Sequence, residues 1–245
     1  VLANAKHFPG HGDTEADSHK TLPTVSFTEQ RIDSVELYPY RKLIEQGLSS
    51  VMVAHLNVPS LESIGGFPSS LSKHIVTDIL KDKLRFNGLI FTDALTMKGA
   101  SDYVEQGVDV ALSKSSIKGG EIDLMAFLAG NDVMLMSENP EKGIQRITEA
   151  YNTGLISEDR LSHSVKKILM AKYKVGLHNY SPIGLADLSK DLNRLEDDIL
   201  YEELTESALT VVKNEKSLLP LRNLETKNIA YVSLGDDDGS IFYNE

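Results

Sequence analysis

The chain has no cysteine and no tryptophan. Disulfides and thiolate metal centres are therefore excluded, and cysteine usage leaves the redox compartment open. Excess positive charge is lacking too: 25 Lys and Arg stand against 36 Asp and Glu, a formal net charge of −11. A general nucleic-acid binder needs a clustered positive field, so that class is disfavoured. No apolar run has transmembrane length and no stretch reads as a signal peptide. The first residue is Val1, inside an apolar strand-like run rather than at an initiator Met. That start predicts a fragment whose true beginning, with any targeting signal, lies upstream.

Four short apolar runs read as buried strands: Val1 to Lys6, Ser50 to Ala54, Gly88 to Thr92, and Asp132 to Met136. They begin about 40 to 50 residues apart, each followed by amphipathic sequence, which predicts a parallel sheet with crossover helices. Ser26-Phe27-Thr28-Glu29 matches a capping box, and Ile32, Val35, Tyr40, Leu43 and Ile44 continue as a helical stripe. Pro39 is expected to break that stripe in two. Ser72 can cap a helix carrying Ile75, Val76, Ile79 and Leu80, and Gly119 to Gly130 reads as a further helix. Pro140 to Asn152 and Ser157 to Val175 then read as two successive helices.

Beyond them, His178 to Asp198 is polar and irregular, with helix resuming near Leu195. Leu209 to Leu219 and Asn228 to Leu234 look like strands, with a turn at Asp236 to Gly239. A boundary is placed near Tyr180. Residues 1–180 would be four β/α units, and 181–245 a linker and the truncated start of a second α/β domain. Four units do not close a barrel. The C-terminal half of a (β/α)8 barrel is one reading, and an open doubly wound sheet the other.

In either architecture a site forms at the carboxyl ends of the strands. Those ends carry Lys6 and His7, His55, and Asp93. Asp93 follows the apolar run Leu89-Ile90-Phe91-Thr92, where it can cap a following helix or serve as a reactive carboxylate kept ionised by nearby cations such as Lys6. Lys6 to His19 is dense in titratable groups and interrupted by Pro9, Gly10 and Gly12. Within it, Asp17 can orient and charge His19 as carboxylates do in hydrolase sites, or both can be solvated loop residues. His7, His11, Asp13, Asp17 and His19 offer metal-type donors, but their spacing matches no common signature and no metal or cofactor is assigned. His55 reads as a structural hydrogen-bonding group.

Lys6-His7-Phe8-Pro9-Gly10-His11-Gly12 with Asp17-Ser18-His19 and Leu22-Pro23 closely resembles the signature of family 3 glycoside hydrolases, in particular its bacterial β-N-acetylhexosaminidase branch. Ile90 to Met97 resembles the nucleophile segment, Val51 to His55 the preceding strand, and Ser207 to Asn214 with Leu218 to Leu221 the start of the family's C-terminal α/β sandwich domain. Ala94 departs from the acidic residue often found after the nucleophile.

The resemblance implies a retaining β-glycosidase on a (β/α)8 barrel. Asp93 would be the nucleophile, His19 with Asp17 the acid/base pair, and Lys6 and His7 the ligands of sugar hydroxyls. Its substrate would be an N-acetylglucosamine-containing glycan, with peptidoglycan turnover as the setting and the bacterial cytoplasm or envelope as the compartment. Such chemistry needs an attacking group and one that alternates between acid and base, and a histidine of suitable pKa can replace the second carboxylate. The competing readings are a β-glucosidase of the same family, a metal-dependent hydrolase, and a non-catalytic sugar-binding fragment.

Overall fold

The computed structural model describes residues 1–14, 21–105, 120–228 and 230. The chain divides into two compact units, Val1–Tyr180 and Ser181–Glu245. The first is built on a parallel sheet of β1 (Asn4–Phe8), β2 (Ser50–Val53), β3 (Leu89–Ala94) and β4 (Val133–Leu135), in that spatial order. Ser50 to Val53 pair without a slip against Leu89 to Thr92. Helices cover one face of the sheet, so its side chains alternate. Val51, Val53 and Ile90 enter a core with Leu37, Ile75, Val76 and Leu80, whereas Met52, Phe91 and Asp93 on the other face are half-buried. Each fully buried Val, Leu or Ile there contributes about 1.5–3 kcal/mol.

The first crossover corrects two expectations. The helix after β1 is capped by Thr28, whose hydroxyl accepts from the Arg31 amide at 3.2 Å, and not by Ser26. Nor does Pro39 break the stripe. α1 (Glu29–Arg31) runs through a π-type turn (Ile32–Glu36) into α2 (Leu37–Glu45), which contains Pro39. The Leu37 amide donates to Ile32 O, five residues back. Proline lacks an N–H and its ring crowds the carbonyl four residues earlier, here that of Val35. A widened turn just before it gives that ring room while the helical path continues.

Between β2 and β3 lies a wide π-type helix (His74–Lys83), its Ile75 amide donating to the Ser72 hydroxyl at 3.2 Å. Following β3 is α3 (Lys98–Glu105); α4 (Glu121–Ala129) precedes β4, and α5 (Pro140–Asn152) and α6 (Glu158–Lys174) follow it. Ser157 caps α6 through the Arg160 amide. In the second unit α7 (Leu188–Leu192) and α8 (Leu195–Ala208) are the main helices. No strand forms at Leu209 to Leu219, where the expected extended run is loop and a single 3-10 turn, Glu215–Ser217. A strand needs a neighbour for its ladder, and propensity alone does not supply one. The expected strand at Asn228 to Leu234 and the turn at Asp236 to Gly239 lie largely or wholly outside the described residues.

At the amino ends of the strands one buried carboxylate gathers three elements. Asp132 Oδ2 accepts from the Ile90 amide at 2.9 Å, while its own amide donates to Ile90 O at 2.8 Å. The same carboxylate pairs with Lys167 and accepts from the Ser164 hydroxyl, both on α6. Arg160, also on α6, donates to Phe127 O (2.8 Å) and Asn131 O (2.6 Å) and stacks on the Phe127 ring.

Lys81 shares this neighbourhood. Burial, with Arg160 and Lys167 nearby, brings its pKa down to about 8, against partial compensation from Asp132 and Asp82. A lysine depressed on folding costs stability wherever the unfolded chain holds the proton more tightly. The cost is absent above about 10.5, grows as the pH falls, and is complete below about 8. Lys81→Met is expected to raise the urea midpoint at pH 7, with the gain shrinking as the pH is raised from 8 to 10.5. A constant gain across that range would show that charge is not its origin.

Candidate active site

β1 ends in a local irregularity that aims a histidine. Ala5 pairs with Val51 but Phe8 with Val53, so β1 spends three steps where β2 spends two. The Lys6–His7 and Phe8–Pro9 peptides are cis. Ala5 and Phe8 both face the helix-side core, where the Phe8 ring meets Tyr40 edge-on at 5.0 Å. His7 is left toward the sheet's other face, its Nε2 3.7 Å from Asp93 Oδ2. Both side chains are largely enclosed, at 28% and 15% exposure. A ring that can carry a proton thus stands beside a carboxylate at the ends of β1 and β3, the two strands that flank β2. Lys6 is exposed and makes no ion pair among the described residues. The basic side chain brought to Asp93 is therefore the His7 ring and not Lys6.

Asp93 is also tied to its own strand end. Its Oδ1 accepts from the Ala94 amide at 2.9 Å, and the following backbone is held from both sides. The Leu95 amide donates to Leu135 O at 2.9 Å. The Ala94 carbonyl accepts from His55 Nε2 at 3.0 Å, while His55 Nδ1 lies 2.6 Å from the Ser70 hydroxyl. A carbonyl can only accept, so Nε2 carries the proton. Burial pushes the His55 pKa down, so the ring is neutral and Nδ1 accepts from Ser70. The fully buried serines of Ser69-Ser70-Leu71-Ser72 were the readable trace of this support, since hydroxyls in a core need partners.

Loop residues leaving β1 line a cleft of about 950 Å³ with Lys6, His7, His11, Asp13, Arg31 and Glu36 on its walls. His11 Nδ1 lies 2.6 Å from the Thr14 hydroxyl, and its ring meets His7 edge-on at 5.7 Å. Asp17 and His19 lie outside the described residues. Among the described residues no group of three His, Asp or Glu converges as a metal-ligating set.

Residues 1–171 match the family model described as Glycosyl hydrolase family 3 N terminal domain. The chain belongs to glycosyl hydrolase family 3. It is 30% identical over 243 residues to beta-hexosaminidase A of Pseudoalteromonas piscicida, covering 91% of this chain and 38% of that protein. A beta-hexosaminidase of Chromobacterium violaceum is 35% identical over 145 residues, 58% of this chain and 35% of that one. Among solved structures, a family 3 beta-N-acetylglucosaminidase from Paenibacillus sp. superposes with a TM-score of 0.72 at 33% identity, covering 88% of this chain and 39% of that chain. A beta-glucoside phosphorylase superposes with a TM-score of 0.73 at 27% identity, covering 90% and 39%. The chain thus spans well under half the length of these relatives. The family match and the parallel α/β sheet agree with the expectation drawn from the Lys6 to His19 motif.

His55→Ala is expected to destabilise the protein by about 2–4 kcal/mol, through a cavity and an unpaired Ser70 hydroxyl. Urea melts at pH 7 measure this, and a change below about 0.5 kcal/mol would show that the ring is not a support.

Proposed function

We propose that this chain carries the catalytic half of a retaining exo-β-N-acetylglucosaminidase acting on terminal β-linked N-acetylhexosamine. The observation that carries the reading is the His7–Asp93 approach at the ends of β1 and β3, across β2, in a member of glycosyl hydrolase family 3. Asp93 attacks the anomeric carbon and forms the glycosyl-enzyme. His19, charged and oriented by Asp17, protonates the leaving oxygen and then takes a proton from the incoming water. Lys6 and His7 bind sugar hydroxyls, with His7 also keeping a hydrogen-bond donor beside the nucleophile. The name of the Pseudoalteromonas relative supports a hexosaminide as substrate, and cell-wall muropeptides are glycans of that kind.

For architecture, we propose half of a (β/α)8 barrel in the first unit, with the second unit beginning a further α/β domain. Two features support it. In the sheet order β1 is an edge strand, and Val165, Leu169, Met170 and Tyr173 leave an apolar face of α6 exposed. A preceding half-barrel would pair the first and cover the second. Expressed without that half, the 245 residues are expected to be insoluble or inactive. A cooperative melt together with glycosidase activity from this piece alone would overturn the architecture.

A β-glucoside specificity is the second reading, favoured by the phosphorylase neighbour and by a Cellulomonas fimi relative named beta-N-acetylglucosaminidase/beta-glucosidase, 26% identical. Assay of the full-length polypeptide on nitrophenyl N-acetylglucosaminide and nitrophenyl glucoside decides between them, and preference for the glucoside would remove the first. Asp93→Ala is expected to lower kcat by at least about 10⁴-fold. His19→Ala is expected to impair substrates with poor leaving groups far more than activated nitrophenyl ones. Full activity in Asp93→Ala would show that the nucleophile lies elsewhere.

A further inference from the structure

Arg31 and Glu36 belong to the first crossover and are built into the wall of the cleft that His7, but not Asp93, also lines. One guanidinium nitrogen of Arg31 reaches both carboxylate oxygens of Glu36, each at 2.7 Å. A second lies 3.5 Å from Asp13, and the guanidinium sits over the Phe27 ring, 4.8 Å from its centroid. The Glu36 side chain is 12% exposed and that of Arg31 36%, so the pair is partly shielded from the screening that makes surface ion pairs nearly worthless. Gly10, at φ +149°, rests directly on it. A Cβ added there would come within 2.5 Å of Glu36 Cγ.

The pair exists because of the winding around it. In an α-helix, residues five apart are separated by about 140° around the axis and do not meet. The π-type turn at Ile32–Glu36, set just ahead of Pro39, widens the spiral so that positions five apart face the same way. Glu36 is thereby turned toward Arg31 and under the loop.

We propose that Arg31 and Glu36 are positioning residues that set His7 against Asp93. The connection is continuous. The pair seats Gly10 and engages Asp13, the loop between them carries His11, and His11 packs edge-on against His7. Neither residue needs to touch the substrate. Removing the brace lets the loop stem drift, and a displacement near 1 Å at a group holding substrate costs on the order of 10²-fold in rate.

The inference rests on the glycosidase reading for its activity readout only, so the test pairs activity with a measurement independent of substrate. Arg31→Lys keeps the charge but lacks the planar guanidinium, and Glu36→Gln keeps the shape but not the charge. In the full-length polypeptide each is expected to lose about 10- to 100-fold in kcat/KM on nitrophenyl N-acetylglucosaminide. The loss should fall mainly in KM, with the melting temperature within about 3 °C of the parent. Combining the two should cost no more than the worse single change, and adding Arg31→Lys to His7→Ala should cost nothing further. Amide hydrogen exchange of the segment 10–14 should be faster in both single variants. Unchanged exchange, or losses that add to that of His7→Ala, would overturn the proposal. A parent that cleaves neither nitrophenyl glycoside removes the glycosidase reading instead, and exchange alone then decides the brace. Should Arg31→Lys fail to fold, Glu36→Gln carries both measurements.

Discussion

The carboxylate of Asp132 is the interaction on which the first unit's order depends. Its side chain is fully buried, and it is satisfied by a backbone amide of β3 and by the Lys167 and Ser164 side chains of α6. A buried charge without partners would be prohibitive, so the three elements must arrive together for any of them to be placed. The pairing of β3 with β4 starts from this end, at Phe91 with Val133, and slips once before Ala94 meets Leu135, with Asp93 at the far end of β3. The candidate site at the carboxyl edge of the sheet thus stands opposite an ionic cluster that ties β3 to α6 at the other edge. That division of labour is general in parallel α/β folds, where one end of the strands keeps the structure and the other carries the site.

Much of the first unit was legible in the sequence because its signals are local. The four apolar runs became the four strands, and Ser72 and Ser157 cap helices because a hydroxyl reaching a free amide is a matter of a few residues. The capping box at Ser26 was misplaced by two residues, since Thr28 offers the same hydroxyl where the chain actually turns. Leu209 to Leu219 carries strand-forming residues, yet the ladder that would hold it is a tertiary property that its sequence cannot show.

Legibility of the site was narrower. Strand ends announced His7, His55 and Asp93 as candidates, but only three dimensions show that His7, and not Lys6, lies beside Asp93. Ser70 was a faint signal, and Arg31 with Glu36 was none at all. Pairs five apart are discarded by any reading that assumes α-helical winding, and Pro39 reads as a break when it sits instead beside a change of winding. The irregular turn is the very reason those two side chains meet.

His55 has a consequence for experiment. With Nε2–H committed to the Ala94 carbonyl and its charged form disfavoured by burial, this ring gains its proton only below the ordinary histidine value. It lies one residue's backbone away from Asp93 and is the neighbour most easily blamed for an ionisation seen in a pH–rate profile. Such an ionisation near neutrality belongs to another group, and a nitrogen chemical shift of His55 that stays flat through it would serve as an internal reference for the site.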